Sequence, residues 1–105
     1  MAVVTLSAAV DEEIDALPAD MRAKLTRLSQ LIELHGPHAL ASESFDHLED
    51  KLWELRIRGR AGIARAIYVT VTGQRVAIVR VFIKKTQKTP RSELRLARER
   101  AKEVT

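Results

Sequence analysis

The chain has 105 residues and a mass of 11.8 kDa, which fits a single domain over residues 1–105. It contains no cysteine, which excludes disulfide bonds and thiolate metal sites. Its formal net charge of +4 is unevenly distributed, because residues 1–47 hold three Lys or Arg against eight Asp or Glu, whereas residues 48–105 hold fifteen against six. The basic second part favours nucleic acid or an acidic protein as a partner, with a merely solvated surface as the alternative.

Two helices are predicted in the first third of the chain. After a possible short strand over residues 3–6, Ser7 suits the N-cap of a short helix with an acidic start. Pro18 then opens a second helix, and Gly36 should end it. This helix carries an apolar stripe at three- and four-residue spacing, formed by Leu17, Met21, Leu25, Leu28 and Ile32. Residues 38–51 have no sustained period and are predicted to be a connector.

From residue 52 the hydrophobic period changes to two, which predicts an antiparallel meander of three strands. The first strand, LWELRIR at residues 52–58, alternates apolar and charged side chains, so that Arg56 and Arg58 share its polar face. The second strand covers residues 63–71 and the third covers residues 75–85, with glycine-containing turns before each of them.

The last segment, PRSELRLARERAKEVT, is predicted to be a helix with Thr89 as N-cap and Pro90 at its first position. Its apolar side is thin, and a basic stripe runs along another side. The stripe consists of Arg91, Arg95, Arg98 and Lys102. Long basic side chains can bind a partner or simply cover surface, and both readings stay open. The predicted architecture is α+β, with an N-terminal helical pair, an antiparallel meander and a C-terminal helix.

Three stretches carry a resemblance to a known family: KLWELRI at residues 51–57, ARAIYV at residues 64–69 and FIKKTQKTPRSEL at residues 82–94. Together, over residues 45–102, they resemble the phage-derived, HigB-like toxins of the RelE/ParE superfamily. The resemblance implies a toxin of a toxin-antitoxin pair, with an antitoxin expected to be a helix-turn-helix protein. For a HigB-like or RelE-like toxin the implied activity is cleavage of messenger RNA on the translating ribosome. ParE-like members act on DNA gyrase instead.

Cleavage of RNA without a metal or cofactor needs a base for the 2′-hydroxyl, a cationic environment for the phosphate, and an acid for the leaving 5′-oxygen. In RelE-like toxins a cation cluster on the middle strands and at the end of the last strand supplies the site. Carried over to this chain, the resemblance gives Arg65, Lys84 and Lys85 as catalytic residues. The predicted RNA-binding residues are Arg56, Arg58, Lys88, Arg91, Arg95, Arg98 and Lys102.

Structural alternatives exist for several of these cations. Arg65 and Arg80 lie in phase with apolar residues of their strands, so each needs an anionic partner or an edge position. An ion pair, with Glu54 as the candidate partner, is the alternative for both and is preferred for Arg80. Lysines at a strand end also discourage edge-to-edge aggregation, which is the alternative for Lys84 and Lys85.

The acid and the base lack clear candidates. Some relatives use a tyrosine or histidine near the final helix, but that part of this sequence has neither. Tyr68 is out of phase with Arg65 and is predicted to pack in the core. The spacing of His35, His38 and His47 matches no zinc signature. Two other functions therefore stay open: a ParE-like inhibitor of gyrase and a non-catalytic RNA-binding protein.

The apolar runs are too short to span a membrane, and the first residues lack the basic region of a signal peptide. We therefore expect a cytoplasmic protein with no membrane partner.

Overall fold

The chain folds as a five-stranded mixed sheet with two helices on one face and one helix on the other. The computed structural model describes residues 2–36, 45–71, 75–84 and 88–104. The elements in chain order are β1 (Ala2–Thr5), α1 (Ala8–Asp15), α2 (Ala19–His35), β2 (Phe45–Glu49), β3 (Leu52–Gly59), β4 (Gly62–Val71), β5 (Arg75–Lys84) and α3 (Arg91–Ala101). The predicted α+β architecture, with a helical pair, a meander and a final helix, is confirmed. No helix in the described ranges is both long and apolar enough to cross a membrane.

The sheet order is β1-β5-β4-β3-β2, which places the meander in the middle. Strand β4 pairs antiparallel with β3 and with β5, as predicted for the meander. Strand β2 also pairs antiparallel with β3, whereas β1 runs parallel to β5 at one edge. The short first strand suggested by residues 3–6 therefore exists, over Ala2–Thr5. The predicted turn at residues 72–74 lies outside the described residues.

The helical pair forms where the sequence predicts it. Ser7 is the N-cap residue of α1, although its side chain makes no capping bond within the described structure, and Pro18 is the N-cap residue of α2. The apolar stripe of α2 is buried, and it includes Met21, Leu25, Leu28 and Ile32. The helix ends at His35, and Gly36 adopts a φ of 84°, a conformation that glycine takes without a steric penalty.

Each face of the sheet has its own core. The face that packs against α1 and α2, here called the helical-pair face, buries side chains that include Leu55, Ile57, Tyr68, Ile78 and Val81. The opposite face, here called the α3 face, buries Leu52, Ile67, Val69, Val79 and Phe82 together with Ala97 of α3. Because successive side chains of a strand point to opposite faces, β3 and β4 contribute to both cores.

Strand β2 corrects the prediction that residues 38–51 form a connector. Its sequence FDHLE is too polar for a typical strand, but an edge strand needs only one apolar side and a pairing partner. Its partner is β3, and the Phe45 and Trp53 ring centroids lie 6.0 Å apart. Asp50 then takes a φ of 48° in the tight connection to β3.

A register shift between β4 and β5 changes the face on which Arg80 lies. Ile67 pairs with Arg80 while Tyr68 pairs with Ile78, which leaves Val79 as an extra residue in β5. Ile78 therefore belongs to the helical-pair face and Arg80 to the α3 face. The sequence prediction that these two residues share a phase is wrong, because a bulge breaks the period of two.

Candidate functional site

Three rows of cross-strand neighbours run across the α3 face from β3 through β4 to β5. The first row is Glu54, Ile67 and Arg80, the second is Arg56, Arg65 and Phe82, and the third is Arg58, Ile63 and Lys84. Directly opposite residues in antiparallel strands have their Cβ atoms about 5 Å apart. The face predicted to bind RNA therefore carries at least one cation in every row.

A central triad of Glu54, Arg65 and Thr89 joins the first two rows. Arg65 is only 5% exposed, and its Nη1 lies 2.6 and 2.8 Å from the two carboxylate oxygens of Glu54. The same nitrogen donates to the Thr89 hydroxyl at 2.5 Å, and that hydroxyl donates to Glu54 Oε2 at 2.9 Å. The ion pair between Arg65 and Glu54, which the sequence offered as an alternative, is confirmed. Arg65 thus lies beneath the surface of the face.

The predicted N-cap role of Thr89 is wrong. The N-cap residue of α3 is Pro90, and the helix begins at Arg91. The Thr89 hydroxyl bonds instead to Glu54 and Arg65. The Thr89 side chain, which the sequence pattern predicts to cap α3, therefore attaches the segment before α3 to the sheet.

A lateral ion cluster of Glu13, Arg80, Glu93 and Arg100 holds the first row against α1 and α3. Arg80 Nη1 lies 2.7 Å from Glu13 Oε2, and Arg80 Nε lies 2.7 Å from Glu93 Oε1. Arg100 Nη1 lies 2.8 Å from Glu13 Oε2. Hydrogen bonds from Arg80 to Glu93 and Glu13 raise the pKa of the Arg80 guanidinium against the opposing effect of burial. The ion pair preferred for Arg80 is confirmed, but its candidate partner Glu54 is wrong, because Glu13 and Glu93 are the partners.

The end of β1 explains why Glu13 lies in this cluster. The last residue of β1, Thr5, pairs with Ile78, so β1 does not extend along the rest of β5. Glu13 of α1 covers the next part of that edge, where its carboxylate accepts the Val81 N–H at 3.0 Å. One carboxylate thus satisfies a strand donor and neutralises arginine side chains from two elements.

The third row differs from the other two in its exposure. Arg58 is exposed, and Arg56 of the second row is half-buried. Lys84 belongs to the third row by its backbone pairing with Ile63. The side chain of Lys84 and all of Lys85 lie outside the described residues, so their catalytic roles stay predictions. Exposed Arg58 therefore lies next to the rows in which Arg65 and Arg80 are paired with carboxylates.

The basic stripe of α3 faces solvent along its whole length, with Arg91, Arg95, Arg98 and Lys102 all exposed. Its second half is paired with acids. Arg98 forms an ion pair with Glu49 of β2, and its Nε lies 3.9 Å from Asp50 Oδ2. Lys102 Nζ lies 3.1 Å from Glu99 Oε1. The first half continues from the exposed Lys88 and borders a shallow groove between α3 and β2. The groove is lined by Glu49, Arg91, Leu94, Arg95 and Arg98.

The described tyrosine and histidines lie away from the three rows. Tyr68 is buried in the core of the helical-pair face, and burial raises the pKa of its hydroxyl to about 12. The predicted packing role of Tyr68 is therefore confirmed. The ring centroids of His47 and Trp53 lie 4.8 Å apart with the ring planes tilted by 58°, and His47 Nε2 lies 2.8 Å from the Asp50 carbonyl oxygen. His35 is the last residue of α2, and His38 lies outside the described residues.

The comparison with protein families covers nearly all of this architecture. The model of phage-derived Gp49-like proteins (DUF891) matches residues 12–102, from α1 through α3. The chain belongs to the Gp49-like family. This family falls within the broader group of RelE/ParE-like toxins, and its members are often toxins of toxin-antitoxin pairs, so membership implies an antitoxin partner. None of the curated proteins compared with the chain matches it.

Sequence reasoning on this Gp49-like protein missed Glu13, Glu93 and Arg100, as well as the true role of Thr89. These side chains meet partners far away in the chain, and local patterns carry no signal for such pairings. The one available signal was the interruption of an apolar strand by Arg80. A half-buried arginine needs an anionic partner, but the sequence around it does not show which residue provides the carboxylate.

Proposed function

We propose that this Gp49-like protein is the HigB-like toxin of a type II toxin-antitoxin pair and that it cleaves messenger RNA on the translating ribosome without a metal. The observation that carries the proposal is the division of charge on the α3 face. Arg65 and Arg80 have internal carboxylate partners, whereas Arg58 is exposed beside them. The sheet therefore presents exposed Arg58 next to arginines whose charges are neutralised by carboxylates.

Internal pairing determines which cations can meet a phosphate. Breaking a buried ion pair leaves an uncompensated charge in the protein, so Arg65 is poorly suited to leave Glu54 for RNA. Arg56 and Arg58 are two residues apart on the same face of β3 and can bind successive phosphate oxygens. Lys88 and Arg91 extend the same positive surface toward α3.

In the proposed reaction the 2′-oxygen attacks the adjacent phosphorus and the bond from phosphorus to the 5′-oxygen breaks. The products are a 2′,3′-cyclic phosphate and a free 5′-hydroxyl. The proton of the 2′-hydroxyl leaves to a base, and the 5′-oxygen gains a proton. We assign stabilisation of the phosphate charge to Lys84 and Lys85, and RNA binding to Arg56 and Arg58. Arg65, which the family resemblance gives as catalytic, supports them from beneath through Glu54 and Thr89.

The same charge division suggests how an antitoxin binds. A partner with acidic segments would cover exposed Arg58 and the basic start of α3, because complementary potential favours association. Covering these residues would block access of RNA and neutralise the toxin. The expected partner is a helix-turn-helix antitoxin whose gene lies next to the gene of this protein.

A second candidate function is RNA binding without catalysis. Within the described ranges no tyrosine or histidine reaches the three rows, so the side chains that some relatives use as acid or base are not found there. A protein of this kind would bind the ribosome or messenger RNA through the same cations and leave the RNA intact.

The deciding experiment maps the 5′ ends of a messenger RNA in a cell-free translation reaction containing purified protein, with ribosomes present or omitted. The proposal expects new 5′ ends only on the translated message. Lys84→Ala and Arg58→Ala should lower their yield. Arg27→Ala, an exposed arginine on the α2 side of the molecule, is the matched control and should leave the yield unchanged.

Intact message with inhibited translation would favour the non-catalytic candidate. Intact message with normal translation would contradict both functions, and a gyrase supercoiling assay would then test the ParE-like alternative. Full cleavage by a folded Lys84→Ala, Lys85→Ala double variant would refute the assignment of these lysines.

A further inference from the structure

We propose that Thr89 is a positioning residue, whose hydroxyl fixes the basic start of α3 beside Arg56 by bridging the buried pair of Glu54 and Arg65. The inference rests on the proposed function, because it assigns to Thr89 the placement of cations that would bind RNA. Thr89 would not touch the RNA itself and would act through its hydrogen bonds to Arg65 and Glu54.

The Thr89 hydroxyl bonds to both members of the buried ion pair. The Thr89 oxygen lies 2.5 Å from Arg65 Nη1 and 2.9 Å from Glu54 Oε2, and it serves both as acceptor and as donor. The side chains of Arg65 and Glu54 are only 7% and 2% exposed. A hydroxyl that bonds to two buried charged groups at once has one favourable orientation, since both of its hydrogen-bonding functions are used.

The position of Thr89 also restricts the positions of its chain neighbours, Lys88 and Pro90. Consecutive Cα atoms are about 3.8 Å apart, so Lys88 and Pro90 cannot move far once Thr89 is fixed. Arg65 is the direct cross-strand neighbour of Arg56. The bond from Thr89 to Arg65 therefore brings Lys88 and the first turn of α3 to the second row.

Thr89 also helps to compensate the like charges of Arg56 and Arg65. Arginines directly opposite each other on neighbouring strands destabilise a sheet, and Arg56 and Arg65 form such a pair. Glu54 neutralises Arg65, and Thr89 holds the Glu54 carboxylate on that side through its donated hydrogen bond. The positive charge of Arg56 can then face RNA without repulsion from its neighbour.

The start of α3 lacks a polar N-cap residue. The N-cap residue of α3 is Pro90, whose backbone is extended (φ −59°, ψ 146°) and whose side chain has no hydrogen-bonding atom that could cap the helix. A polar N-cap would have stabilised the helix locally. The polar side chain beside this position contacts the sheet instead, as expected where placement of the helix start matters more than its local stability.

The test compares Thr89→Val, which removes the hydroxyl at nearly constant volume, with Thr89→Ser, which retains it. Thr26→Val is the matched control, because Thr26 also donates a hydroxyl hydrogen bond, to the Arg22 carbonyl oxygen on distant α2. The first readout is the rate of trypsin cleavage after Lys88 and Arg91, resolved by mass spectrometry against cleavage after other lysines and arginines. The second readout is kcat and KM for cleavage of translated message.

We expect Thr89→Val to accelerate trypsin cleavage selectively after Lys88 and Arg91 and to lower kcat by about tenfold to 100-fold, because small displacements of site groups have effects of that order. Thr89→Ser should restore both values, and Thr26→Val should change neither. Unchanged cleavage rates and kcat in Thr89→Val would overturn the inference. Equal acceleration at all trypsin sites with a lowered Tm would also overturn it, since Thr89 would then serve general stability.

The two readouts separate the inference from the proposed function. If the unmodified protein leaves translated message intact while Thr89→Val still exposes Lys88 and Arg91 to trypsin selectively, the nuclease proposal fails and the positioning role of Thr89 stands. If the message is cleaved equally by both proteins and the trypsin pattern is unchanged, the nuclease proposal stands and the positioning role fails.

Discussion

The carboxylate of Glu54 and the guanidinium of Arg65 form a buried ion pair at 2.6 Å across neighbouring strands. The two side chains are among the least exposed charged groups of the described chain. Glu54 lies diagonal to Arg65 in the register, because its direct neighbour is Ile67. This diagonal contact lets Arg56 occupy the position directly opposite Arg65.

Removing one partner of this pair should strongly destabilise the protein. We expect Arg65→Ala or Glu54→Ala to lower the free energy of unfolding by about 3–5 kcal/mol, because the remaining charge stays buried without its partner. The double variant Glu54→Leu, Arg65→Met should lose less than the sum of the single variants. Urea denaturation of the three variants measures the difference. A loss below about 1 kcal/mol for both single variants would contradict the pair's importance.

Exposed Arg58 should contribute to RNA binding in a salt-dependent way. Each phosphate contact to single-stranded RNA adds about −0.7 to the slope of log K against log salt concentration. We expect Arg58→Ala to reduce the magnitude of that slope by about 0.7 with an unstructured RNA oligonucleotide, without a change in stability. Fluorescence anisotropy at several salt concentrations provides the measurement. Arg27→Ala serves as the control, and an equal effect of both substitutions would mean that the binding is diffuse.

Tyr68 should titrate late. Burial raises the pKa of its hydroxyl from 10.0 to about 12. Both folded and unfolded chains hold this proton below pH 10, so Tyr68 then makes no pH-dependent contribution to stability. Above pH 10 the unfolded chain releases the proton while the folded chain keeps it, so stability should fall as pH rises toward 12. Tyr68 is the only tyrosine, so tyrosinate absorbance reports it directly. Ionisation at the ordinary pKa in a folded sample would show that the hydroxyl is solvated.

The same hydroxyl should be dispensable for folding. It is buried, and it has no hydrogen-bond partner among the described residues. Tyr68→Phe should therefore leave stability unchanged or raise it by about 1 kcal/mol, because it removes an unsatisfied polar group. It should also abolish the loss of stability that Tyr68 causes at alkaline pH. A large destabilisation in thermal denaturation would indicate a partner beyond the described residues.

Gly59 should not tolerate a side chain. A Cβ atom at this position would lie 2.7 Å from Met21 Cγ and 2.8 Å from Asp20 Oδ2. Asp20 accepts the Arg60 N–H at 2.9 Å, so the start of α2 is tied to the tip of the β3–β4 hairpin. Gly59→Ala should cost about 1–3 kcal/mol through this overlap. Chemical denaturation compares it with Ala61→Ser at the exposed turn, and equal stability of the two variants would mean that α2 shifts freely.

Local patterns in the sequence were sufficient for the helices and the meander. The apolar stripe of α2 and the alternation in β3 follow periods that backbone geometry imposes, and both were predicted correctly. Strand β2 was missed because its stability comes from pairing with β3. The bulge at Val79 was missed because a shift of register between strands leaves no mark in one strand's own pattern.

The candidate site was predictable only in part. Arg56 and Arg58 were placed on one face by simple alternation, and the structure agrees. The function of Thr89 was misread, because its position before Pro90 favours a helix cap while its actual partners lie 24 and 35 residues earlier in the chain. Local rules describe the competing possibilities for such a residue, and only the tertiary structure decides between them.

The pairing of β1 with β5 affects the order in which the protein can form during its own synthesis. Val3 is made well before its strand partner, Val76. The first strand can therefore pair only after the helical pair and the strands β2, β3 and β4 have been translated. Glu13 waits longer still, since its contact Arg100 belongs to α3. The complete sheet can therefore form only after β5 has been synthesised, and the ion cluster around Glu13 only after α3.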